Sequence, residues 1–255
     1  RPLPARLPNN YSMPGCVISA RPGIFFGMNI LVVVAHPDDP EFFCGGAIAR
    51  WHAEGHAIRY VLVTDGSKGN DDPNITAPQL IAMRQAEQTA AGAALGVTDP
   101  HFLPHVAGEW VNTLALQRDI AREVRRFKAD IVVTTDPQTL HYGALRINHN
   151  DHRVMGMAVC DAIFPASGNR MYFPELMTEE HAPHAPRELW FAGPVQPNHL
   201  VDVTAYIDIK IDAVKAHVSQ VKHPDQVGAR LRQGLARFRA DGSMWLAEQY
   251  RRVIL

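Results

Sequence analysis

The chain has 255 residues, a formal net charge of −1, 46% hydrophobic residues and 20% charged residues. This composition is typical of a globular protein and argues against a disordered or fibrous chain. A charge near zero disfavours a polybasic surface, so we expect no nucleic-acid or membrane-surface partner. The cysteines, Cys16, Cys44 and Cys160, are widely spaced and odd in number. They predict a reducing, cytoplasmic location rather than a disulfide scaffold.

The N-terminal segment differs from the rest of the sequence. Residues 1–27 contain five prolines and no acidic residue, which predicts an irregular N-terminal arm before one domain over residues 28–255. The apolar stretch from Ile24 to Ala35 is interrupted by Gly27 and Asn29. It is far shorter than the roughly 20 residues of a membrane-spanning helix, so no membrane span is expected.

From Asn29 onward, β-branched apolar runs predict buried strands, and longer runs with helical periodicity predict helices. In chain order these are strand 29–35, helix 44–55, strand 56–64, helix 78–95, a short strand 101–103, helix 115–128, strand 130–135, helix 151–164, strands 188–192 and 199–203, and helices 205–221 and 227–252. The alternation of strands and helices predicts an α/β fold with a Rossmann-like, doubly wound, mostly parallel sheet and helices on both faces, in a single domain.

The strongest chemical signal is the segment His36–Glu41, HPDDPE, directly after the first predicted strand. Ligands of open α/β sheets bind outside the carboxyl ends of the strands. Asp and Pro also form ordinary turns. A histidine followed by paired carboxylates at the end of a buried strand favours a metal or catalytic site instead. Glu41 is expected to support the loop by accepting backbone hydrogen bonds.

A second segment, Asn148–Arg153, reads NHNDHR. His149 and His152 are three residues apart, so at the start of a helix they point the same way. One ring can then bind a metal while the other faces a substrate. Asp151 can orient a ring nitrogen, or it can serve only as an acid that favours the helix N-terminus.

Together the two segments offer the ligands of a catalytic zinc ion. Zinc in hydrolases takes three protein ligands and keeps a position for water, and His36, Asp39 and His152 can supply them. Asp38 then faces the water as general base. His149, as an imidazolium, stabilises the oxyanion of a tetrahedral intermediate. Iron or cobalt suits the same mixed nitrogen and oxygen ligands.

The two motifs in this order resemble the LmbE/PIG-L-like family of zinc-dependent N-deacetylases, marked by (A/P)HPDDxE and HxDH. The segments VLVTDGSKGNDDP, IAMRQAEQ, PHAPRELWF and KIDAVKAHVSQ are also similar, so the resemblance runs from about Asn29 to the C-terminus. It implies zinc ligands at His36, Asp39 and His152, a general base at Asp38 and an active-site His149 oriented by Asp151. Members often form trimers or hexamers, which implies a homo-oligomer.

Three further residues depend on the resemblance. Arg84 falls where the family places an arginine that contacts the sugar or its substituent; the alternative is an exposed helix arginine paired with Glu87 or Gln88. Many members carry Asp-Gly after the third strand, where this sequence has Gly108-Glu109, so Glu109 is the candidate replacement. His217 is either a packed or surface histidine or, by resemblance, a pocket residue.

The predicted function is zinc-dependent removal of the acetyl group from an N-acetylglucosamine-type sugar or conjugate. Three alternatives stay open. One is an amidase acting on a different amide, for example a thiol-sugar S-conjugate. Another is a catalytically silent sugar-binding protein of the same fold. A metal-dependent phosphoesterase is the third, although such enzymes usually use more carboxylates to hold two metals.

Overall fold

The computed structural model describes residues 27–144 and 146–255. The predicted arm lies outside the described residues except for Gly27. The elements of the described chain, in order, are β1 (Asn29–Val34), α1 (Asp39–Ala53), β2 (Ala57–Thr64), α2 (Ala77–Ala94), β3 (His101–His105), α3 (Leu114–Phe127), β4 (Ile131–Thr135), β5 (His141–Tyr142), β6 (Arg146–Ile147), α4 (Asn150–Asp161), β7 (Glu188–Ala192), β8 (His199–Asp202), α5 (Ile207–Lys215), α6 (Pro224–Leu235), β9 (Ala236–Phe238) and β10 (Met244–Ile254).

The main sheet has the strand order β3-β2-β1-β4-β7-β10-β8, with β9 paired to β10. The first five strands in this order, which are β3, β2, β1, β4 and β7, are parallel to one another. Strand β10 runs antiparallel to both β7 and β8. The predicted α/β class with a mostly parallel sheet is therefore confirmed. The order reverses between β1 and β4, and such a switch point opens a crevice at the carboxyl ends of the strands.

Helices cover both faces of the sheet because the strand side chains alternate between two cores. In β1, Ile30 and Val32 contribute to one core, which α1 and α5 cover. Leu31 and Val33 contribute to the other, which α3 and α4 cover. These residues are fully buried. A strand with both faces covered reads as a continuous apolar run, which is why β1 was recognisable from sequence.

The predicted helix over 227–252 is wrong in its second half. Helix α6 ends at Leu235, and the chain then forms β9 and the 11-residue strand β10. Tyr250 pairs with Ala192 of β7 on one side and with His199 of β8 on the other. These partners come from distant sequence, so the pairing overrides the local helical pattern.

Smaller differences concern helix boundaries. The predicted helix 205–221 is a 3₁₀ turn, Thr204–Tyr206, followed by α5, which ends at Lys215. Helix α1 begins at Asp39, five residues before the predicted start, and has non-helical dihedral angles at Cys44. Beyond α4 the chain continues in a π-helical segment, Ala162–Ser167. The β5–β6 hairpin replaces part of the expected connecting loop.

A buried carboxylate from the last strand holds helix α1. Glu248 of β10 accepts hydrogen bonds from the backbone amides of Gly46 (2.8 Å) and Ala47 (2.9 Å), just beyond the kink in α1. It also pairs with Lys210 at 2.6 Å, and Lys210 donates to the Phe42 carbonyl. Charge and hydrogen bonds together satisfy this buried acid. None of the helices in the described part of the chain is long and apolar enough to cross a membrane.

Candidate active site

Three of the predicted residues form a tight cluster at the sheet's switch point. Asp39 lies between two imidazole rings: its Oδ1 is 3.1 Å from His152 Nε2, and its Oδ2 is 3.5 Å from His36 Nδ1. One ligand atom from each of these residues lies within 4.8 Å of the others. The side chains of His36 and His152 are only 12% and 14% exposed. The cluster is therefore nearly closed to solvent while both rings still reach the surface.

The first motif places its residues in a strained turn. The chain leaves β1 at Val34, and Asp39 begins α1 with Pro40 in the first turn, where proline is tolerated. Asp38, immediately before the helix, has φ 115° and ψ −28°. A non-glycine residue in this region costs on the order of 1–3 kcal/mol and persists only where neighbours enforce it.

Helix α2 supplies those neighbours from one face. The backbone N–H of Asp38 donates to Gln88 Oε1 at 2.8 Å. One turn earlier, Arg84 lies 3.2 Å from the Asp38 carboxylate and donates to the carbonyls of Pro37 and Gly66. Arg84 and Gln88 are both buried. The strained backbone and the carboxylate of Asp38 are thus held by residues i and i+4 of one helix.

Behind Asp38 lies a second layer of buried polar groups. Gln88 Nε2 donates to Glu41 Oε1 at 2.9 Å. The other Glu41 oxygen lies 3.0 Å from His217 Nε2. Glu41, Gln88 and His217 are all 0% exposed. Glu41 therefore supports the loop through the Gln88 and His217 side chains rather than through the backbone amides expected from sequence, and His217 is a packed histidine that bonds to Glu41.

Asp151 contacts the cluster of His36, Asp39 and His152 more closely than it contacts His149. Its Oδ2 is 3.0 Å from His36 Nε2 and 3.9 Å from His149 Nδ1. The same oxygen accepts the backbone N–H of Gly108 at 2.8 Å. His149 Nδ1 instead accepts the backbone N–H of Asp151 at 3.1 Å. The carboxylate thus orients the first-motif histidine, and His149 is oriented by a backbone amide.

The electrostatics of the cluster follow from these contacts. Burial lowers the pKa of His36, but the hydrogen bonds to Asp151 and Asp39 outweigh it and raise the pKa from 6.5 to about 10. Burial alone would raise the pKa of Asp39. The adjacent His152 and His36 outweigh it and hold the pKa of the carboxyl well below its usual range. Asp39 is thus an anion that attracts positive charge between the two rings.

The pKa values of Asp38 and His149, the two residues expected to take part in proton transfer, shift in opposite directions. Burial, reinforced by the Asp39 charge, raises the pKa of Asp38 from 3.8 to about 6, although Arg84 opposes the shift. Burial and the His36 charge lower the pKa of His149. The side chain of His149 is 53% exposed, so it lies at the open side of the cluster. A carboxyl with a raised pKa and a histidine with a lowered one are typical of catalytic sites.

The structure brings together all seven site residues predicted from sequence: His36, Asp38, Asp39, Arg84, His149, Asp151 and His152. Arg84 is buried against Asp38, so the alternative of an exposed arginine is wrong. Its contact with substrate stays a prediction. Glu109 pairs with Lys68 and is 60% exposed. The Gly108-Glu109 segment reaches the cluster through the Gly108 amide.

Sequence reasoning placed neither of two buried amides in the site. Gln88 holds the backbone of Asp38, and Asn148 Oδ1 lies 3.0 Å from His152 Nδ1. Gln88 ends the segment IAMRQAEQ, and Asn148 begins the second motif. An amide carries no charge and is not a usual zinc ligand, so nothing in the sequence pattern distinguished them from ordinary polar residues.

The donor set fits one divalent metal ion. Two imidazole nitrogens and one carboxylate are the ligands that catalytic zinc sites use, with a further position left for water. A second group of possible ligands, His36, His149 and Asp151, shares His36 with the first. Because one histidine serves both groups, the described residues favour one ion per chain rather than two.

The fold and this site define an α/β protein with a two-histidine, one-carboxylate centre at the sheet's switch point. The model of the PIG-L family, described as GlcNAc-PI de-N-acetylase, matches residues 31–163. The chain belongs to this family. The family resemblance predicted from the motifs is therefore confirmed.

Named relatives agree with this assignment. The chain is 29% identical to a diacetylchitobiose deacetylase of Thermococcus kodakarensis over 75% of this chain and 69% of the relative. It is 28% identical to a 1D-myo-inositol 2-acetamido-2-deoxy-alpha-D-glucopyranoside deacetylase of Actinosynnema mirum over 75% and 80% of the two chains. The structure of N,N'-diacetylchitobiose deacetylase from Pyrococcus horikoshii superposes with a TM-score of 0.78 at 23% identity, covering 89% of this chain and 84% of that one. That structure supports the fold.

Proposed function

We propose that this chain is a zinc-dependent N-deacetylase that hydrolyses the acetamide of an N-acetylglucosamine-type sugar or conjugate. One observation carries the proposal. The pair of adjacent aspartates divides into Asp39, set between two histidines, and Asp38, whose pKa is raised to about 6. Metal-assisted amide hydrolysis uses both a metal ligand and a nearby proton acceptor for the attacking water. The deacetylase relatives support the choice of an acetamide.

His36, Asp39 and His152 would hold the ion. When bound there, zinc supplies Lewis acidity toward the amide carbonyl and lowers the pKa of water. Asp38 then takes the proton of the attacking water. A carboxylate with a pKa of about 6 is ionised at neutral pH yet basic enough for this transfer. The same carboxyl returns the proton to the leaving amine, and the products are acetate and the free amino sugar.

His149 supplies a hydrogen bond to the developing charge. Its Nδ1 accepts the Asp151 amide, so the neutral ring carries its proton on Nε2. The lowered pKa favours this neutral ring over the imidazolium expected from sequence. A neutral imidazole still donates from Nε2 to the amide oxygen as negative charge builds there. Asp151 supports the site by orienting the His36 ring.

The first test is acetate release by the purified protein. N-acetylglucosamine, its β-linked disaccharide, an N-acetylglucosaminyl inositol and an N-acetylated thiol-sugar conjugate are compared with zinc, without added metal and with a chelator. We expect zinc-dependent release that the chelator abolishes and one substrate class that is preferred. Binding of these sugars without acetate release would favour the silent sugar-binding alternative. Turnover confined to a different amide would favour the amidase.

Metal content is measured on the same samples. One zinc per chain is expected because the two ligand groups share His36. Two tightly bound ions per chain, together with phosphatase activity, would favour the phosphoesterase. The cytoplasmic location and the homo-oligomeric state stay predictions from the sequence. Size-exclusion chromatography with light scattering tests the second of them.

A further inference from the structure

We propose that Asn148 is a positioning residue that fixes the tautomer of His152 and thereby aims the Nε2 lone pair of that ring at the metal position. The proposal deepens the proposed function and rests on it in one respect, that His152 is a metal ligand. Asn148 is 2% exposed and lies just before α4. Neither motif assigns it a task.

The orientation of the Asn148 amide is determined by its partners. Its Nδ2 donates to the backbone carbonyl of Thr139 at 2.8 Å. A carbonyl oxygen only accepts hydrogen bonds, so the amide nitrogen must face Thr139. The backbone N–H of Asn148 also donates to the Leu140 carbonyl at 2.8 Å. These bonds fix the side chain from the base of the β5–β6 hairpin.

With the nitrogen committed to Thr139, the amide oxygen faces His152. Asn148 Oδ1 lies 3.0 Å from His152 Nδ1 and also accepts the Tyr142 hydroxyl at 3.3 Å. An amide oxygen cannot donate, so the proton of this contact belongs to His152 Nδ1. In the neutral ring the lone pair is then on Nε2, the nitrogen that lies 3.1 Å from Asp39 Oδ1.

A lone pair and a carboxylate oxygen at 3.1 Å repel unless a positive charge, either a second proton on Nε2 or a metal ion, lies between them. A divalent ion would take the place of that proton, so the tautomer set by Asn148 is the one a metal needs. The other ligand histidine has a different outer partner: His36 Nε2 contacts the carboxylate of Asp151. One ring is thus fixed by a neutral amide and the other by an anion.

The test is the variant Asn148→Leu, which keeps the volume of the side chain and removes the acceptor. Zinc affinity is measured by competition with a chromophoric chelator. We expect it to fall about 10- to 100-fold, as is usual when an outer hydrogen-bond partner of a metal ligand is lost. The matched control is Asn112→Leu. Asn112 is half-buried, donates to Asp161 at 2.7 Å and accepts from Gln117 at 2.9 Å. None of these three residues belongs to the cluster. The control should leave zinc affinity within twofold.

A second variant separates positioning from packing. Asn148→Asp keeps an acceptor for His152 Nδ1 but turns an oxygen toward the Thr139 carbonyl. It should recover most of the zinc affinity lost in Asn148→Leu while lowering the melting temperature. If the role of Asn148 were only structural, Asn148→Asp would bind zinc no better than Asn148→Leu.

Histidine ¹⁵N spectra of the zinc-loaded wild-type protein read the tautomer directly. They should show His152 with its proton on Nδ1, and this measurement holds even if Asn148→Leu fails to fold. A proton on Nε2 of the zinc-loaded ring would overturn the proposal. A folded Asn148→Leu protein with unchanged zinc affinity would overturn it too. Neither readout uses acetate release, so failure of the deacetylase proposal is recognised separately.

Discussion

The two motif segments reach the same cluster by opposite means. The first is held from far along the chain: Asp38 bonds to Gln88, 50 residues away, and Glu41 to His217, 176 residues away. In the second segment the ring of His152 is held from nearby, since Asn148 bonds to Thr139 nine residues earlier and His152 to Asn148 four residues earlier, whereas Asp151 bonds to the distant Gly108 amide. The proposed base, Asp38, therefore depends on the assembled fold, and the proposed ligand His152 depends on a local hairpin and helix turn.

The largest effects are expected when one proposed site residue of each motif segment is replaced by alanine. Asp38→Ala should retain zinc and lose about 10²- to 10⁴-fold in kcat, the usual contribution of a general base. His152→Ala should lose zinc affinity by more than the 10- to 100-fold typical of an outer partner. Zinc content and acetate release are measured for both. An Asp38→Ala protein with wild-type turnover would contradict the assigned roles.

The next largest effect is expected from removing the Gln88 side chain of helix α2, which bonds to Asp38 and Glu41. Gln88→Leu leaves the Asp38 amide and one Glu41 oxygen without their partner. Because misplacement of a reacting group by about 1 Å can cost 10²-fold, kcat should fall about 10- to 100-fold while zinc affinity stays within twofold. The same change three residues earlier, Gln85→Leu, is the control. Equal loss of zinc and turnover in Gln88→Leu would show a general structural defect instead.

A packing change in helix α4 should affect the second segment. Gly156 lies one turn after His152, and a Cβ there would lie 2.4 Å from the Thr135 carbonyl oxygen of β4. Gly156→Ala should therefore destabilise the protein by about 1–3 kcal/mol through overpacking and weaken zinc binding by moving the helix. In Gly228→Ala on α6 the nearest atom is 3.5 Å away. That control should gain up to about 1 kcal/mol from helix propensity. Urea unfolding measures both, and equal stability changes would contradict the expected contact.

The smallest expected effect concerns Glu188, which lies outside both motif segments. It gives a reference for how the free energy of unfolding depends on pH. Glu188 accepts hydrogen bonds from Arg252 at 2.7 Å and from Trp190 at 2.6 Å. Burial raises the pKa of Glu188, but these bonds outweigh it and lower the pKa below its usual 4.5. A depressed folded-state pKa adds stability above about pH 4.5 that is lost as the pH falls through the folded value.

Glu188→Gln should therefore cost up to about 1 kcal/mol at pH 7, since the pair is partly exposed. The difference from wild type should shrink below pH 4.5. Urea unfolding at pH 7, 5 and 3.5 measures it. A difference that grows as the pH falls would contradict the sign.

The sequence predicted the cluster well because its members belong to two short segments. His36 and Asp39 are three residues apart, so one turn brings them together, and the buried run of β1 places that turn at the sheet edge. The mostly parallel sheet was predicted from the alternation of strands and helices, but its strand order was not. The sequence predicted poorly what depends on distant pairing, as in β10, where Tyr250 pairs with residues of β7 and β8 and its ring packs in the core against Trp51 and Trp190.

The same physics explains the residues that had no predicted role. Gln88 and Asn148 act through hydrogen bonds whose partners are backbone groups and other polar side chains. Such contacts depend on where an amide lies in three dimensions and leave no periodic or charged signature. Arg84 shows the converse, because an arginine on a helix reads as exposed until the strained turn of Asp38 is found beside it.

The partners of helix α1 also set an order in time. The ribosome makes the segment His36–Ala53 early, but the carboxylate that binds the Gly46 and Ala47 amides belongs to Glu248, about 200 residues later. The imidazole that meets Glu41 also comes late, from His217. During synthesis this helix has neither partner, and contacts of such long range close slowly. The first motif is therefore completed last. A nascent chain that already carries both motif segments still lacks the two buried groups, Glu248 and His217, that support the first.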